Sequence, residues 1–151
     1  MIIALIPSRL KSKRLNKKPL LVIDGLPIII HTLKRVLLAK KVNKTIVCTD
    51  SKEIKEVVEM HGGEAVLTSS RHRNGTERIA EVAKRFNKAK LIIDVQGDEP
   101  LVDPKDIDNV IDFHKKNKHF DIVLPVKNTK NPEDKSLIKV AFSKKKKNYF
   151  F

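Results

Sequence analysis

The run Ile92-Ile93-Asp94-Val95-Gln96-Gly97-Asp98-Glu99-Pro100 is the strongest indication of the fold, because an apolar strand runs directly into a glycine turn that carries a carboxylate. The proline cannot donate a hydrogen bond to a β-ladder, so the strand must end before it. This pattern places Asp98 at the carboxyl end of a central strand. In open α/β sheets the ligand crevice lies outside those strand ends, and a carboxylate there is well placed to hold Mg²⁺ against phosphate oxygens. A β-turn aspartate that caps the next helix is the alternative, since Asp-Glu-Pro is also ordinary turn chemistry.

A second strand end, near the start of the chain, carries positive charge. Residues 2–6 form a short apolar run bounded by Pro7, which is typical of a buried parallel strand. The loop that follows contains six basic side chains: Arg9, Lys11, Lys13, Arg14, Lys17 and Lys18. Such a loop suits a polyanion such as a triphosphate. A solvated basic loop in a lysine-rich protein is the alternative.

Strand and helix patterns alternate along the rest of the chain. The apolar runs predict further strands at 45–48, 64–67 and 91–95. Apolar residues at helical spacing predict helices that start at Pro27, span 52–61, run from Gly75 to include Phe86, and extend from Pro104 to about 117. Repeated βα units with short links predict an α/β fold with a Rossmann-like, doubly wound, mostly parallel sheet in one domain, residues 1–151.

The pattern changes near the end of the sequence. Residues 136–141 alternate apolar with polar side chains, residues 143–148 form a polar turn, and Tyr149-Phe150-Phe151 predicts a returning hairpin strand. Domains usually finish in polar, frayed residues rather than in three aromatics. We therefore expect this sequence to be the N-terminal part of a longer protein.

Composition excludes several classes of protein. The chain has 151 residues, of which 40% are hydrophobic and 33% charged, as in a soluble globular domain, and no segment approaches the roughly 20 apolar residues of a membrane span. We find no secretory signal. Cys48 is the single cysteine and lies in an apolar strand pattern, which favours a small core residue over a nucleophile. A cytoplasmic location and the absence of any membrane partner fit these features.

The net charge of +14 requires that nucleic acid be considered as a partner. Aromatic residues make up only 5% of the chain, so there is no interleaving of basic and aromatic side chains that could stack bases. A nucleotide or another anionic substrate explains the charge equally well. We expect no nucleic-acid partner.

Six motifs occur in order along the chain: Ile6–Arg9, Arg14–Leu20, Asp24-Gly25, Thr49-Asp50, Gly75–Arg78 and Val95–Pro100. Together they resemble the CMP-sugar synthetases, and most closely the branch that activates 3-deoxy-manno-octulosonate (Kdo). The resemblance implies a fold of the nucleotide-diphospho-sugar transferase type. It implies a cytidylyltransferase that converts CTP and Kdo to CMP-Kdo and pyrophosphate with Mg²⁺, for lipopolysaccharide biosynthesis, and that is a homodimer at full length.

The resemblance also assigns roles to residues. Arg9 and Lys18 would contact the CTP phosphates with help from Arg14, Asp98 would bind Mg²⁺, and Gln96 would face the sugar. Arg9, Lys18 and Asp98 are thus the predicted catalytic residues. The nucleotide side of the pocket would be built from Asn74, Gly75, Thr76 and Arg78.

Two of these expectations have ordinary structural alternatives. Arg78 could pair with Glu77 or Glu81 on a helix face. Gln96 could satisfy backbone groups at a strand end. The five histidines show no paired spacing for a metal site and are interpreted as structural or surface residues, with His72 set apart because it lies in the nucleotide loop.

The chain departs from the family pattern in two places. The loop Leu15–Leu20 lacks a proline and a glycine that the family commonly has; Asn16 can adopt positive φ and Lys17 can add charge, so we expect the loop to survive. The family's second half, with further sugar contacts and a second Mg²⁺-binding aspartate, would follow Phe151. We therefore expect the 151-residue chain to bind CTP weakly and turn over poorly.

Two other functions stay open at this point. A nucleotidyltransferase of similar fold could use another 2-keto sugar acid, such as a sialic-acid relative or an amino-substituted Kdo. A basic, non-catalytic nucleic-acid-binding domain is the second, and a steep salt dependence of RNA binding would favour it.

Overall fold

The computed structural model describes residues 1–11, 15–126, 130–131 and 133–134. Its main feature is a four-stranded parallel sheet with the order β5-β4-β1-β6. These strands are β1 (Ile2–Ser8), β4 (Lys44–Thr49), β5 (Ala65–Leu67) and β6 (Leu91–Asp94). The order steps outward from β1 in both directions, as in a doubly wound sheet, and confirms the predicted α/β class.

Four helices connect and cover the strands: α1 (Ile28–Leu37), α2 (Lys52–Met60), α3 (Gly75–Ala83) and α4 (Pro104–Lys116). Polar side chains start three of them. Ser51 accepts a hydrogen bond from the Ile54 amide, Asn74 from the Glu77 amide and Asp103 from the Lys105 amide. Each cap fixes the point at which a strand-end loop turns into a helix.

The core lies on both faces of the sheet, and every residue of β1 is buried. Ala4 and Ile6 face the layer that α1, α2 and α4 cover, whereas Ile3 and Leu5 face α3. A strand that is buried on both faces reads as a continuous apolar run, which explains the sequence pattern at 2–6. The site must therefore lie at an end of the sheet, where side chains leave the core.

β1 continues through Pro7 to Ser8, beyond the predicted end at residue 6. Pro7 is in register with Cys48 of β4, and its carbonyl accepts a hydrogen bond from the Gly97 amide. The pairing of β6 with β1 stops at Asp94, opposite Leu5. The missing proline N–H therefore falls just past the last paired position of β6, where its loss is tolerated.

Two further boundaries differ from the sequence expectation. The helix predicted to start at Pro27 starts at Ile28, because Pro27 belongs to a small hairpin of β2 (Val22–Ile23) and β3 (Leu26–Pro27). In the turn of this hairpin Asp24 and Gly25 both have positive φ, as a type I′ turn requires. The helix expected to include Phe86 ends at Ala83, although Phe86 still packs against the same core cluster. The predicted hairpin over 136–151 lies outside the described residues.

Within the part of the chain that the structure describes, no helix has both the length and the apolar character needed to cross a membrane.

Candidate functional site

A cleft of about 640 Å³ opens at the carboxyl end of the sheet. It brings together segments that lie far apart in sequence: the end of β1, the start of the 3₁₀ helix Lys18–Leu20, the start of α3 and the turn after β6. Of the predicted site residues, the cleft is lined by Arg9, Lys18, Asn74, Gly75, Arg78, Gln96 and Asp98. Thr76 is absent from this lining, and Arg14 lies outside the described residues.

The turn Gln96–Asp98 is fixed by buried contacts on both sides of Gly97. Its amide donates to the Pro7 carbonyl at 3.3 Å, and its carbonyl lies 3.2 Å from the Thr32 hydroxyl, whose single proton is shared with the Ile28 carbonyl at 3.3 Å. A Cβ atom at this position would lie only 2.7 Å from the Pro7 carbonyl oxygen. Close approach to β1 therefore requires glycine here, and the turn presents Gln96 and Asp98 on a rigid support.

Lys18 and Asp98 meet at the mouth of the cleft. The Lys18 ammonium lies 2.7 Å from Oδ2 of Asp98, and both side chains remain partly exposed. Lys18 begins the 3₁₀ helix, which is anchored by buried Pro19. A cation that suits phosphate and a carboxylate that suits a metal ion thus share one point.

Lys17, beside it, occupies the left-handed backbone region with φ of 53°. Asn16, which can adopt positive φ, does not do so here, because among the described non-glycine residues only Lys17 and Asp24 have one. The Lys17 ammonium lies 2.9 Å from each carboxylate oxygen of Glu53 on α2. The positive charge of Lys17 is therefore paired with a carboxylate on α2.

Arg78 is 3% exposed and forms part of the wall of the cleft. Its guanidinium donates to Asp50 at 3.0 Å, to the Thr68 hydroxyl and to the Ser69 carbonyl. The alternative that paired Arg78 with Glu77 or Glu81 is therefore wrong: the side chain crosses from α3 to the end of β4. It ties α3, β4 and the segment after β5 into one unit.

Glu81 holds the loop that precedes α3. Its carboxylate accepts hydrogen bonds from the Ser69 amide at 2.9 Å, from His72 Nε2 at 2.6 Å and from Arg85 at 2.9 Å. These donors, the Ser69 amide first and then His72, lower the pKa of Glu81. His72 lines the cleft, so its partner Glu81 helps to position one wall.

Gln96 does not satisfy backbone groups, which was the ordinary alternative for it. Its Nε2 donates to Oδ1 of Asp94 at 2.8 Å, a contact between two side chains. Loss of hydration around the Asp94 carboxyl raises the pKa of this group, although the residue as a whole stays exposed.

Sequence reasoning missed Ser8, which lines the cleft at the end of β1. Ser8 is 6% exposed, and its hydroxyl is the one buried side-chain polar atom of the described residues that has no hydrogen-bond partner. Such an orphan hydroxyl is costly in a fold and is a common feature of a binding site. Its position between Pro7 and Arg9, directly at a strand end, was the available signal.

Cys48 is completely buried, as expected of a core residue. Burial raises the pKa of its thiol to about 12, so the thiolate nucleophile is disfavoured. Among the described residues, no group of three or more His, Cys, Asp or Glu side chains is placed to hold a metal ion. A cation at this cleft would therefore depend on Asp98 together with oxygens of a ligand.

Comparison with known proteins places the chain in a family. A family model described as Cytidylyltransferase matches residues 3–151. The chain is 37% identical over 153 residues to 3-deoxy-manno-octulosonate cytidylyltransferase of Leptospira biflexa, covering 99% of this chain and 62% of that protein. The enzyme of the same name from Chlorobium limicola is 46% identical over 106 residues, or 70% of this chain and 42% of its own length.

Solved structures agree with the sequence comparison. The CMP:2-keto-3-deoxy-manno-octonic acid synthetase complexed with CTP superposes with a TM-score of 0.75 and 35% identity, covering 78% of this chain and 48% of that one. A cytidylyltransferase from Leptospira borgpetersenii gives a TM-score of 0.68 and 26% identity over 78% of this chain and 50% of its own. The chain thus spans less than two thirds of these relatives' length. It belongs to the cytidylyltransferase family.

Proposed function

We propose that this chain carries the CTP-binding part of an enzyme that joins CTP to Kdo, giving CMP-Kdo and pyrophosphate. The observation that carries the proposal is the Lys18–Asp98 contact of 2.7 Å at the mouth of a cleft at the sheet's carboxyl end. A phosphate-binding cation and a metal-binding carboxylate are the two charges that nucleotidyl transfer needs. The relatives with over 35% identity are named for this reaction, which supports the choice of CTP and Kdo.

In this reaction the anomeric C2 hydroxyl of Kdo attacks the α-phosphorus of CTP. The new O–P bond forms in line with the bond that breaks to release pyrophosphate, and the attacking hydroxyl loses its proton. The protein's task is to position the reactants and neutralise charge. Arg9 and Lys18 would contact the phosphates, with Arg14 in the same loop, while Gln96 would face the sugar and the Asn74-Gly75-Thr76 segment with Arg78 would form the nucleotide side.

The carboxylate of Asp98 fits a magnesium ion. Mg²⁺ is commonly bound through one or two carboxylates together with substrate phosphates and water, rather than by a complete protein cage. Asp98 is partly exposed and stands on the rigid turn at Gly97. Asp98 would hold such an ion, which would supply charge neutralisation for the phosphates, and Lys18 would then contact a phosphate oxygen.

The test is calorimetric titration of this chain with CTP, with and without Mg²⁺. We expect CTP binding that depends on Mg²⁺ and is selective over ATP. Asp98→Ala should weaken it about tenfold or more, because a charge-assisted contact is commonly worth about 1.5–3 kcal/mol. Asp106→Ala, which removes an exposed carboxylate on α4 outside the cleft, is the matched control and should leave binding unchanged.

Equal effects of the two substitutions would contradict the assignment of Asp98. CTP and ATP binding of equal strength would contradict a cytidine site, and a panel of 2-keto sugar acids separates Kdo from sialic-acid-like or amino-Kdo substrates. The relatives do not favour the nucleic-acid alternative. Lipopolysaccharide biosynthesis, a cytoplasmic location and a homodimer remain predictions.

A further inference from the structure

Asp94 has no role in the function proposed above, yet it contacts a residue of the cleft. It is the last residue of β6, two positions before Gln96, so both side chains project from the same face of the chain. Gln96 Nε2 donates to Asp94 Oδ1 at 2.8 Å. The carboxyl is less hydrated than that of a surface aspartate, which strengthens a hydrogen bond to it.

This contact determines the orientation of the Gln96 side-chain amide. An ionised carboxylate accepts hydrogen bonds and cannot donate them, so it selects the NH₂ end of the amide. The carbonyl oxygen then lies on the other side, where it faces Gly75: a Cβ built on that glycine would lie 3.5 Å from Gln96 Oε1. Gly75 and Gln96 both line the cleft, so the oxygen lies at the wall of the cleft.

We propose that Asp94 is a positioning residue that orients the Gln96 amide so that its carbonyl oxygen faces the cleft, and that position 96 therefore reads a hydrogen-bond donor of the second substrate. Without Asp94, an exposed glutamine amide could present either end. With it, a hydroxyl or amino group is favoured over a carbonyl or ether oxygen. The inference rests on the proposed function only for the identity of that substrate, a polyhydroxylated sugar acid.

The chain offers an unusually direct test, because Gln96 is its only glutamine. Glutamine labelled with ¹⁵N and ¹³C, incorporated by cell-free synthesis, gives one side-chain amide and one Cδ signal. In the native chain we expect two well separated amide proton signals, one of them moved by its bond to the carboxylate. Asp94→Ala should collapse that separation toward the values of free glutamine, and Asp94→Asn, which keeps a weaker acceptor, should give an intermediate result.

Asp106→Ala is again the control for removing an exposed carboxylate and should leave the Gln96 signals unchanged. Asp94 is exposed, so the variants are expected to fold, and an unchanged backbone amide spectrum away from β6 checks this. If the Gln96 amide is the same in Asp94→Ala as in the native chain, Asp94 does not orient it and the proposal is overturned.

The second measurement adds Kdo in the presence of CTP and Mg²⁺. Donation from a sugar hydroxyl should move the Cδ carbonyl signal of Gln96, and Asp94→Ala should weaken Kdo binding about fivefold while leaving CTP affinity unchanged. A Kdo-dependent change confined to the amide nitrogen would overturn the donor assignment. If CTP binds and Kdo does not, position 96 does not by itself hold this sugar in the 151-residue chain, whereas the orientation by Asp94 is decided by the first measurement alone.

Discussion

The two turns that meet across the cleft are held in different ways. The turn Gln96–Asp98 is fixed from within, by hydrogen bonds from Gly97 to Pro7 and from Thr32 to Gly97 and by a backbone approach that admits no side chain. The opposite loop is anchored by buried Pro19, but its two lysine side chains are held only by ion pairs: Lys17 pairs with Glu53 and Lys18 with Asp98, and all four side chains are substantially exposed.

Exposed ion pairs contribute about 0–1 kcal/mol, whereas buried, satisfied backbone contacts are costly to break. The comparison therefore indicates one rigid wall, which carries the carboxylate, and one adjustable wall, which carries the lysines. A site of this kind can hold a metal-binding group in place while the cationic loop adapts to a phosphate chain.

Gly97→Ala should have the largest effect on stability. Its Cβ would meet the Pro7 carbonyl at 2.7 Å and the Ile29 side chain at 3.2 Å, so the free energy of unfolding should fall by about 2 kcal/mol. Urea denaturation measures the change. Gly62→Ala is the control, because Gly62 has a positive φ of 76° but open space around it, and it should cost about 1 kcal/mol. A smaller loss for Gly97→Ala than for Gly62→Ala would show that the wall is not rigid.

Thr32→Val tests the second support of the same turn. The buried hydroxyl of Thr32 shares its single proton between the Gly97 carbonyl and the Ile28 carbonyl, so its removal should cost about 1 kcal/mol. We also expect weaker Mg²⁺-dependent CTP binding, because Asp98 is then less well positioned. Thr76→Val, at an exposed position of α3, should stay within about 0.5 kcal/mol of the native chain. If Thr32→Val is as stable as the native chain, the Thr32 hydroxyl does not stabilise the turn.

The same contrast explains what the sequence could predict. The rigid wall depends on local signals, an apolar strand followed by Gly97 and Pro100, and those alone placed Asp98 after the carboxyl end of a strand. The strand was expected to be central, however, whereas β6 lies at the edge of the sheet that the described residues form. The parallel sheet followed from alternating strand and helix patterns. Partners that lie far apart in sequence carry no such signal: the sequence offered only Glu77 or Glu81 on the same helix as alternative partners for Arg78, but its guanidinium bonds to Asp50, 28 residues away.

Ser8 was missed for a related reason. Nothing in the run Pro7-Ser8-Arg9 shows that the strand continues through the proline and buries the serine hydroxyl without a partner. The positive φ in the basic loop lies at Lys17, a conformation that lysine rarely adopts, and Lys17 also pairs with Glu53. No local signal indicates this pairing, because the two residues lie 36 positions apart in the sequence.

Substitution of Lys17 should change the free energy of unfolding less than the Gly97 and Thr32 substitutions do. The change should differ between replacement by glycine and replacement by alanine. Lys17→Gly relieves the cost of positive φ but loses the pair with Glu53, so we expect the free energy of unfolding to change by less than about 1 kcal/mol. Lys17→Ala loses the pair and keeps the strain, so it should be the less stable of the two. Thermal unfolding of both variants measures the order. If Lys17→Ala is at least as stable as Lys17→Gly, the loop is not strained at this position.

Ser8→Ala should change stability least and ligand binding clearly. Its hydroxyl is buried without a partner, so its removal should leave the melting temperature unchanged or raise it. The same hydroxyl lies in the cleft, and its loss should weaken Mg²⁺-dependent CTP binding about fivefold, the value of one neutral hydrogen bond.

Ser51→Ala is the matched control, since that buried hydroxyl caps α2 through the Ile54 amide. It should cost about 1 kcal/mol of stability and leave CTP affinity unchanged. We therefore expect opposite results for the two serines: Ser8→Ala should lower CTP affinity and not stability, whereas Ser51→Ala should lower stability and not CTP affinity. Identical results for the two variants would show that Ser8 is a structural residue of the core.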